Sequence, residues 1–409
     1  MMQSVDIAIV GGGMVGLALA AAFKDSDLRI AVIEGKSPEV TLGDEPDVRV
    51  SALSRSSEVL LHNLGAWEGI ARRRASPYSA MEVWEQDSFA RIEFSANALG
   101  QPNLGHIVEN QVIQAALREQ VELMSNVTLF IPAKCHSLAV SEREAWLTLD
   151  NGQALTAKLV VGADGANSWV RQQQDIPLTH WDYGHQAIVA NVRTAEAHGG
   201  IARQIFTPSG PLAFLPLQDP HLSSIVWSTE PNRAEQLMKL SEGEFNKVLT
   251  AEIDVRLGMC QVGEVRSAYP LKMRYARDFV APRIALVGDA AHTIHPLAGQ
   301  GANLGLLDAA SLAQEVLAIW HQGEDIGSHR HLRRYERWRK TEAAKMIAAM
   351  QGFRDLFSGD NPAKKLVRGL GMSLAGHLPG AKDEIMKRAL GLKGNLPQLA
   401  RPASQQHSS

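Results

Sequence analysis

Short apolar runs that end at glycine or acidic residues recur along the chain. Val5–Val10 is followed by a glycine-rich turn, and Leu28–Ile33 ends at Glu34. Ala157–Val161 and Ile284–Val287 are two further runs of the same kind. Runs of this length are typical of strands that are buried on both faces, as in parallel sheets. Helix-forming residues follow the turns after the first and the last run, so the pattern predicts an α/β protein.

The turn after the first run has the spacing Gly-x-Gly-x-x-Gly, formed by Gly11, Gly13 and Gly16. Gly11 permits a tight turn, Gly13 lets the backbone approach a pyrophosphate, and Gly16 allows the helix to pack closely on the strand. Glu34 ends the next run and can bind the hydroxyls of an adenosine ribose, whereas an acid here disfavours a ribose 2′-phosphate. The segment therefore predicts a dinucleotide site, for FAD or for NAD.

Two later turns also follow predicted strands. Asp164 lies in a Gly-Ala-Asp-Gly turn, and Asp289 follows Gly288 after the last run, where its carboxylate can accept hydrogen bonds from a sugar or ribityl chain. A glycine-rich stretch then leads into a helix-like run and contains Gly299, Gln300, Gly301 and Ala302. A helix N-terminus offers free N–H groups and a partial positive charge. Each turn alone is common in proteins. Their order along the chain is more specific.

That order resembles the group A flavoprotein monooxygenases, aromatic hydroxylases that bind FAD and take hydride from NADH or NADPH. The resemblance runs from about residue 5 to about residue 390. The segments that resemble the ubiquinone-biosynthesis hydroxylases (the UbiH/UbiF/VisC group) are Asp47–Leu53, Gly105–Asn110, Trp181–Tyr183, Phe214–Leu217 and His292–Gly301. The segments most similar to the VisC (UbiI) branch, which hydroxylates a 2-polyprenylphenol, are Arg203-Gln204, Leu222–Trp227 and Met350–Gly359.

The resemblance implies a Rossmann-like FAD-binding domain interleaved with a β-sheet substrate domain, with helices at the C-terminal end. It also implies an enzyme that hydroxylates a polyprenylated phenol through a flavin hydroperoxide, with NADH or NADPH as reductant and dioxygen as co-substrate. Such an intermediate must be kept from water, and the protein supplies orientation and electrostatics to the cofactor. Only one Gly-x-Gly-x-x-Gly unit is visible, so we expect FAD to occupy it and NAD(P)H to bind transiently elsewhere.

Several residues match positions with known roles in that family. Arg49 matches an arginine near the FAD diphosphate, and Asn110 and Gln111 fall at a helix start that contacts the flavin, without a preference between them. The matched proline is a rigid loop residue beside the substrate ring. Backbone N–H groups at a helix start stabilise the negative charge of reduced flavin. The expected catalytic residues are therefore Pro296, Gly301 and Ala302.

The predicted domains are discontinuous along the chain. The FAD-binding domain is expected to comprise residues 1–75, 106–175 and 281–345. The substrate domain is expected to comprise residues 76–105 and 176–280. Residues 346–395 are predicted to form a C-terminal helical region. Residues 396–409 are polar without an apolar period, which predicts a disordered tail.

Composition and charge limit the partners and the cellular compartment that can be expected. The 409 residues carry a net charge of −3, which argues against nucleic acid as a partner. Two cysteines, Cys135 and Cys260, suit a reducing cytosol better than a disulfide framework. We find no signal peptide and no apolar segment of the roughly 18 residues that a spanning helix needs, so a cytoplasmic protein is predicted. His292 and His295 lack the further ligands of a metal site, and we expect no metal.

A basic segment near the C-terminus leaves two interpretations open. Residues 361–401 contain eight Lys or Arg and two Asp or Glu, a balance of +6, with apolar residues interspersed. Such a segment can lie on the inner face of a membrane or contact a ubiquinone-biosynthesis complex. It can equally be a helix packed on the FAD-binding domain. The sequence also leaves a homo-oligomer open.

Two alternatives to the hydroxylase remain. One is a flavin enzyme of another class, such as a prenyl reductase or a halogenase, although the typical halogenase Trp-x-Trp-x-Ile-Pro signature is missing from the sequence. The other is a non-catalytic flavin-bound subunit of a biosynthetic complex.

Overall fold

The computed structural model describes residues 2–37, 42–86, 91–294, 301–357, 387 and 391–402. The strands, in chain order, are β1 (Met2–Val10), β2 (Ile30–Ile33), β3 (Val50–Ser54), β4 (Ser76–Tyr78), β5 (Ala80–Glu85), β6 (Arg91–Ser95), β7 (Gly105–Glu109), β8 (Val127–Phe130), β9 (Cys135–Val140), β10 (Ala145–Leu149), β11 (Ala154–Gly162), β12 (Leu178–Thr194), β13 (Ile201–Thr207), β14 (Gly210–Pro216), β15 (Leu222–Thr229), β16 (Cys260–Ala276), β17 (Val280–Ala281), β18 (Ile284–Leu286) and β19 (His292–Thr293).

The helices, in chain order, are α1 (Met14–Ala21), α2 (Arg55–Asn63), α3 (Trp67–Arg73), α4 (Asn110–Glu122), α5 (Trp169–Gln173), α6 (Pro231–Lys239), α7 (Glu242–Glu252), α8 (Gly301–His321) and α9 (His329–Phe357). Short 3₁₀ turns occur at Asn97–Leu99, Gly288–Ala290 and Gln398–Ala400. None of the helices in these ranges is long and apolar enough to cross a membrane.

The four apolar runs of the sequence all lie in one eight-stranded sheet, with the central order β17-β18-β11-β1-β2-β8. β1 pairs in parallel with β11 from Met2 opposite Ala154 to Val10 opposite Gly162. β2 is parallel to β1, and β18 is parallel to β11. Because parallel strands end at the same edge, the turns after β1, β11 and β18 meet there. The predicted α/β fold is confirmed.

The charged residues inside these runs are Asp6, Arg29 and Lys158, and Asp6 is the partner of the other two. The Lys158 ammonium lies 2.9 Å from the Asp6 carboxylate across the β1–β11 pair. The backbone N–H of Arg29 donates to the same carboxylate at 2.9 Å. Burial alone would raise the pKa of Asp6, but these hydrogen bonds and positive charges outweigh it and lower the pKa. Lys158 is therefore compatible with a strand that is otherwise apolar.

The second eight-stranded sheet has the order β19-β16-β12-β15-β14-β13-β5-β6. Side chains alternate between its two faces. On one face Ile188 and Ile225 pack with Phe245 of α7 in a core that also includes α6. On the other face Ala187 and Met273 are buried beside Ile347 of α9. We call this second surface the open face, because the helices α6 and α7 do not cover it.

A three-stranded sheet, β3-β7-β4, connects the segments that lead into the two larger sheets. β7 pairs antiparallel with both neighbours, and its residues 105–109 bring residues 50–54 and 76–78 together. The predicted boundaries near residues 75 and 105 therefore fall at the ends of paired strands. The division into two domains stays a prediction.

Two sequence expectations need correction. The predicted disorder of residues 396–409 is wrong for residues 396–402, where Ala400 is fully buried and the Asn63 side chain donates to the Leu399 carbonyl at 2.7 Å. A few apolar side chains and one amide are enough to hold this short segment. The sequence from Ala234 to Leu249 also predicts one helical stretch, but the structure has two helices, because Ser241 and Glu244 form a capping box that starts α7.

The packing of α1 on β1 gives a test of the fold. A Cβ atom at Gly16 would lie 2.0 Å from the Gly11 carbonyl oxygen, which is backbone and cannot move aside. We expect Gly16→Ala to destabilise the protein by about 1–3 kcal/mol, as overpacking does. Gly243→Ala is the matched control, because a Cβ atom there meets no neighbour in α7 and the change should be neutral or slightly stabilising. Equal denaturant midpoints for the two variants would contradict this packing.

Candidate active site

The turn between β1 and α1 uses its three glycines differently. Gly11 has φ +111°, and a Cβ atom there would lie 2.3 Å from the Ala163 carbonyl oxygen. A Cβ atom at Gly16 would collide with the Gly11 carbonyl oxygen. A Cβ atom at Gly13 would meet no protein atom within 4 Å. Gly11 and Gly16 are therefore needed for packing, whereas Gly13 leaves the backbone of the turn open to approach.

Glu34 lies at the mouth of this turn, as predicted from its position after β2. Its carboxylate accepts hydrogen bonds from the Gly12 N–H at 2.8 Å and from the Lys36 N–H at 2.9 Å. The side chain of Gln114, in α4, donates to the Gly12 carbonyl at 2.9 Å. Gln114 supports the turn from the other side, and the glycine spacing carries no signal that would have identified it.

The Asp164 turn lies directly against the first turn. The Ala163 N–H donates to the Val10 carbonyl at 2.8 Å, which joins the ends of β1 and β11. One oxygen of the Asp164 carboxylate, Oδ2, accepts the N–H groups of Trp169 and Val170 at the start of α5. The other, Oδ1, is buried and has no hydrogen-bond partner among the described residues. A buried carboxylate oxygen in this state calls for a donor from a bound molecule.

The third turn follows β18 at the same edge. Gly288 has φ +59° and begins the 3₁₀ turn that carries Asp289. The Asp289 side chain is accessible to solvent, yet protein atoms crowd around it, and this desolvation raises its pKa above the ordinary value. The positive charges of Arg49 and Arg274 act in the opposite direction. The structure therefore brings Arg49 near Asp289, although residue 49 is far from residue 289 in sequence.

Arg171 connects the second and third turns. Its guanidinium donates to the Ala290 carbonyl at 2.8 Å and to the Ala166 carbonyl at 3.0 Å. Burial lowers the pKa of Arg171, although the nearby Asp164 carboxylate acts in the opposite direction. This arginine is part of the sequence motif that contains Asp164, but the motif alone gave it no role.

Arg49, Asn110 and Gln111 lie together at the β3–β7 sheet. The Asn110 N–H donates to the Arg49 carbonyl at 3.0 Å, and the Asn110 side chain accepts the Ser51 hydroxyl at 2.6 Å. The Gln111 amide is 3.4 Å from a Glu109 carboxylate oxygen. The Arg49 guanidinium is exposed and lies 5.9 Å from the Tyr269 ring centroid on the second sheet. Which amide contacts a flavin stays a prediction.

The N-terminus of α8 lies near the same edge of the first sheet. Gly301 is exposed, and a Cβ atom there would meet no neighbour within 4 Å. The side chain of Asn303 fixes the first turn of the helix to β3, because it accepts the Ser54 N–H at 2.9 Å and donates to the Ala52 carbonyl at 2.8 Å. Ala302 follows Gly301 in this turn. The predicted residues Pro296, Gly299 and Gln300, together with His295, lie outside the described residues.

A buried ionic cluster stands behind the third turn. The Asp308 carboxylate, in α8, is fully buried and lies 2.6 Å from both His292 Nε2 and Arg339 Nε. It also accepts the Gly288 N–H at 3.1 Å. Burial would raise the pKa of Asp308, but the charges and hydrogen bonds of His292 and Arg339 outweigh it and lower the pKa. His292 is thus a hydrogen-bonded histidine, at the start of β19 rather than in a loop, and in the described ranges no group of three or more His, Cys, Asp or Glu side chains could hold a metal.

This cluster predicts a large loss of stability when one partner is removed. Arg339→Met should destabilise the protein by about 3 kcal/mol or more, because it leaves the Asp308 charge in the interior with His292 as its remaining side-chain partner. Lys239→Met is the control, since Lys239 pairs with Glu235 on the surface. Thermal and denaturant midpoints should fall for the first variant only. A cluster without energetic importance would give two equal midpoints.

The three turns together fit FAD. The open approach at Gly13, the carboxylate of Glu34 at the turn mouth and the unpartnered oxygen of Asp164 match the groups that a dinucleotide presents: phosphates and hydroxyls. Asp289 lies three residues before His292, the first residue of β19, which pairs with β16, so this polar edge adjoins the second sheet.

Comparison with known proteins agrees with this geometry. The family described as "FAD binding domain" matches residues 4–350. The 3-demethoxyubiquinol 3-hydroxylase of Escherichia coli is 39% identical over 391 residues, which cover 95% of this chain and 99% of that protein. The mitochondrial ubiquinone biosynthesis monooxygenase of Danio rerio is 36% identical over 431 aligned residues, with 93% of this chain and 88% of that protein covered.

The fold is also shared with a solved structure. The crystal structure of p-nitrophenol 4-monooxygenase from Pseudomonas putida matches with a TM-score of 0.78 at 22% identity, and the match covers 96% of this chain and 100% of that one. Similarity at this level of identity shows the fold alone. The family match over most of the chain and the two relatives above 30% identity show more: this chain belongs to the FAD-dependent hydroxylases of ubiquinone biosynthesis and is a flavoprotein monooxygenase.

Proposed function

We propose that the protein hydroxylates a polyprenylated phenol in ubiquinone biosynthesis, with NADH or NADPH as reductant and dioxygen as co-substrate. The observation that carries the proposal is the position of the three turns. They meet at one edge of the first sheet, and Arg49 extends from that edge to Tyr269 on the second sheet. A polar cofactor edge therefore adjoins a surface that carries an apolar cluster of Ala187, Leu271 and Met273, and oxygen transfer to a prenylated phenol needs such a place from which water is excluded.

Each residue of the cofactor edge has a proposed role. The Glu34 carboxylate binds the ribose hydroxyls, the backbone at Gly13 faces the pyrophosphate, and Arg49 neutralises its charge. Asp164 and Asp289 accept hydrogen bonds from the hydroxyl-bearing part of the cofactor. The partial positive charge at the start of α8 stabilises negative charge on the reduced flavin, and the residues that provide it are Gly301 and Ala302.

Bound FAD would supply the redox chemistry, in which two electrons from the nicotinamide allow one oxygen atom of dioxygen to be transferred to the phenol while the other leaves as water. The chain orients the phenol and keeps water away. The apolar side chains of the open face, including Ala187, Leu271 and Met273, favour the ring and its substituents and exclude water. Pro296 is proposed to lie beside the substrate ring, as the family resemblance implies.

A second candidate substrate has a specific basis. The Escherichia coli relative at 39% identity carries the name 3-demethoxyubiquinol 3-hydroxylase. The substrate in that name is a ubiquinol that lacks one methoxy group, and its ring is more substituted than the 2-polyprenylphenol of the VisC-like branch that several local segments resemble. Both substrates are electron-rich prenylated rings, so the same site chemistry suits either.

Contacts with other components also belong to the proposal. The basic C-terminal region supports peripheral contact with a membrane or with other ubiquinone-biosynthesis proteins, and a homo-oligomer is compatible with this arrangement. Residues 358–386 and 388–390, which make up most of that region, lie outside the described residues.

Turnover assays test the function directly. FAD-loaded protein should oxidise NADH or NADPH faster when a short-chain 2-prenylphenol is added, and the product should be heavier by one oxygen atom. A short-chain 3-demethoxyubiquinol is measured in parallel, and a preference for it favours the second candidate. A product heavier by two hydrogen atoms would indicate a reductase. FAD binding without turnover of either substrate would indicate a non-catalytic subunit.

The cofactor assignment predicts a selective effect at Gly13. Gly13→Val should fold normally, because the position is extended and has no protein atom within 4 Å of a Cβ atom. It should weaken FAD binding about tenfold or more, because the side chain stands where the pyrophosphate must approach. Gly243→Val, in α7, is the control. FAD affinity is measured by fluorescence titration of the apoprotein, and an undiminished affinity in Gly13→Val would contradict the assignment.

A further inference from the structure

An apolar groove lies between α9 and the open face of the second sheet, outside the proposed FAD edge. Its cavity volume is about 670 Å³, within the roughly 300–1,000 Å³ typical of small-molecule sites. The apolar residues that line it are Trp181, Met273, Tyr275, Ala344, Ile347 and Ala348. Thr179 and Gln351 are the polar lining residues, and in the described part of the chain no charged residue contributes. We call this feature the α9 groove.

The shape of the α9 groove follows from small residues on the helix and a large one on the sheet. Ala344 and Ala348 are four positions apart and therefore lie on one side of α9. Their short side chains leave space between the helix and β16. Trp181 borders this space and is 39% exposed, although it is a large side chain of the kind that proteins usually bury. Apolar surface left exposed in a concave place is characteristic of a binding site.

The groove shares strand β16 and one apolar cluster with the site already described. Tyr275 lines the groove, and its backbone pairs with His292 in the β16–β19 ladder. His292 follows Asp289 by only a few residues. Met273 lines the groove as well and packs in one cluster with Leu271 and Ala187 of the open face. An elongated molecule with one end beside Asp289 can therefore extend along the open face into the groove.

We propose that the α9 groove binds the isoprenoid tail of the substrate while the phenol ring lies against the open face. This inference rests on the proposed function. A prenyl tail has no hydrogen-bonding group, so it gains from apolar surface and loses nothing where charged partners are lacking. A nucleotide or an acidic peptide would leave its charges without partners there. The groove thus provides affinity for the tail, and the cofactor edge provides the chemistry.

Photolabelling tests the location independently of turnover. The probe is a prenyl alcohol of several isoprene units with a diazirine at its tail end, added to FAD-loaded full-length protein. Mass spectrometry should find the label on peptides that contain Trp181, Tyr275 or Ile347. An unlabelled prenyl alcohol should compete with the probe, and a phenol without a tail should not. Labelling that falls mainly on other peptides, including those of the C-terminal segment, would overturn the proposal.

Kinetics with phenols of different tail lengths test whether the α9 groove contributes to binding of the tail. Ile347→Asp should raise KM for a long-tailed phenol about tenfold or more and change KM for the same phenol without a tail much less. Trp181→Ala should act in the same direction with a smaller change. The matched controls are Val265→Asp and Trp146→Ala, which alter side chains that are 55% and 42% exposed elsewhere on the surface. The controls should leave both KM values unchanged.

The results of these experiments distinguish failure of the tail-binding proposal from failure of the proposed hydroxylase function. FAD content and melting midpoints identify any variant that fails to fold, in which case the remaining variant and the photolabel decide. Equal KM changes for the long-tailed and the tailless substrate would overturn the proposal that the α9 groove binds the tail. They would not contradict the proposed hydroxylase function. Labelling of the groove in a protein that hydroxylates neither ring would support the groove and overturn the proposed function.

Discussion

The buried carboxylate of Asp308 is the interaction on which the cofactor edge depends. A charge without access to water requires opposite charges and donors around it, and loss of any one of them is costly. Here the partners come from three segments: His292 after the third turn, Arg339 in α9, and the N–H of Gly288. Because all three converge on one carboxylate, the third turn, α8 and α9 cannot shift independently. Asp308 therefore fixes the position of the turn that carries Asp289, although Asp308 itself is fully buried and out of reach of a substrate.

The two large sheets divide the chemistry of the site between them. The first sheet contributes strand ends, glycine turns and carboxylates, which suit phosphates and hydroxyls. The second contributes a surface of apolar side chains, which suits an apolar ring. The border between them is marked by Arg49 beside Tyr269 and by Tyr275 paired with His292. The proposed reaction consumes a charged reductant and a prenylated substrate and therefore needs both environments at once, and neither sheet offers both.

Features of the structure that depend on neighbouring residues in the sequence could be predicted, whereas those that depend on residues distant in the sequence could not. The strands after which Gly11, Asp164 and Asp289 stand were evident from the sequence, because strand burial and turn chemistry are local. The capping box at Ser241, which splits a predicted helix, was also visible locally but was overlooked. Asp308 was not identified, because its partners are distant in sequence and a charge on a helix usually faces water. The one available signal was an isolated acid among apolar and small residues from Leu304 to Ala313, a setting in which a buried charge must be paired.

The position of β1 in the sheet has a consequence for synthesis on the ribosome. β1 is made well before its partner β11, and β18 and α8 come later still in the chain. Such pairings require long loops to close and are slow to form. The apolar β1 must therefore wait with an unpaired edge while much of the chain emerges. A nascent chain that stopped before β11 would present that unfinished edge to chaperones or to other chains, and without the Asp164 turn it could not yet hold its cofactor.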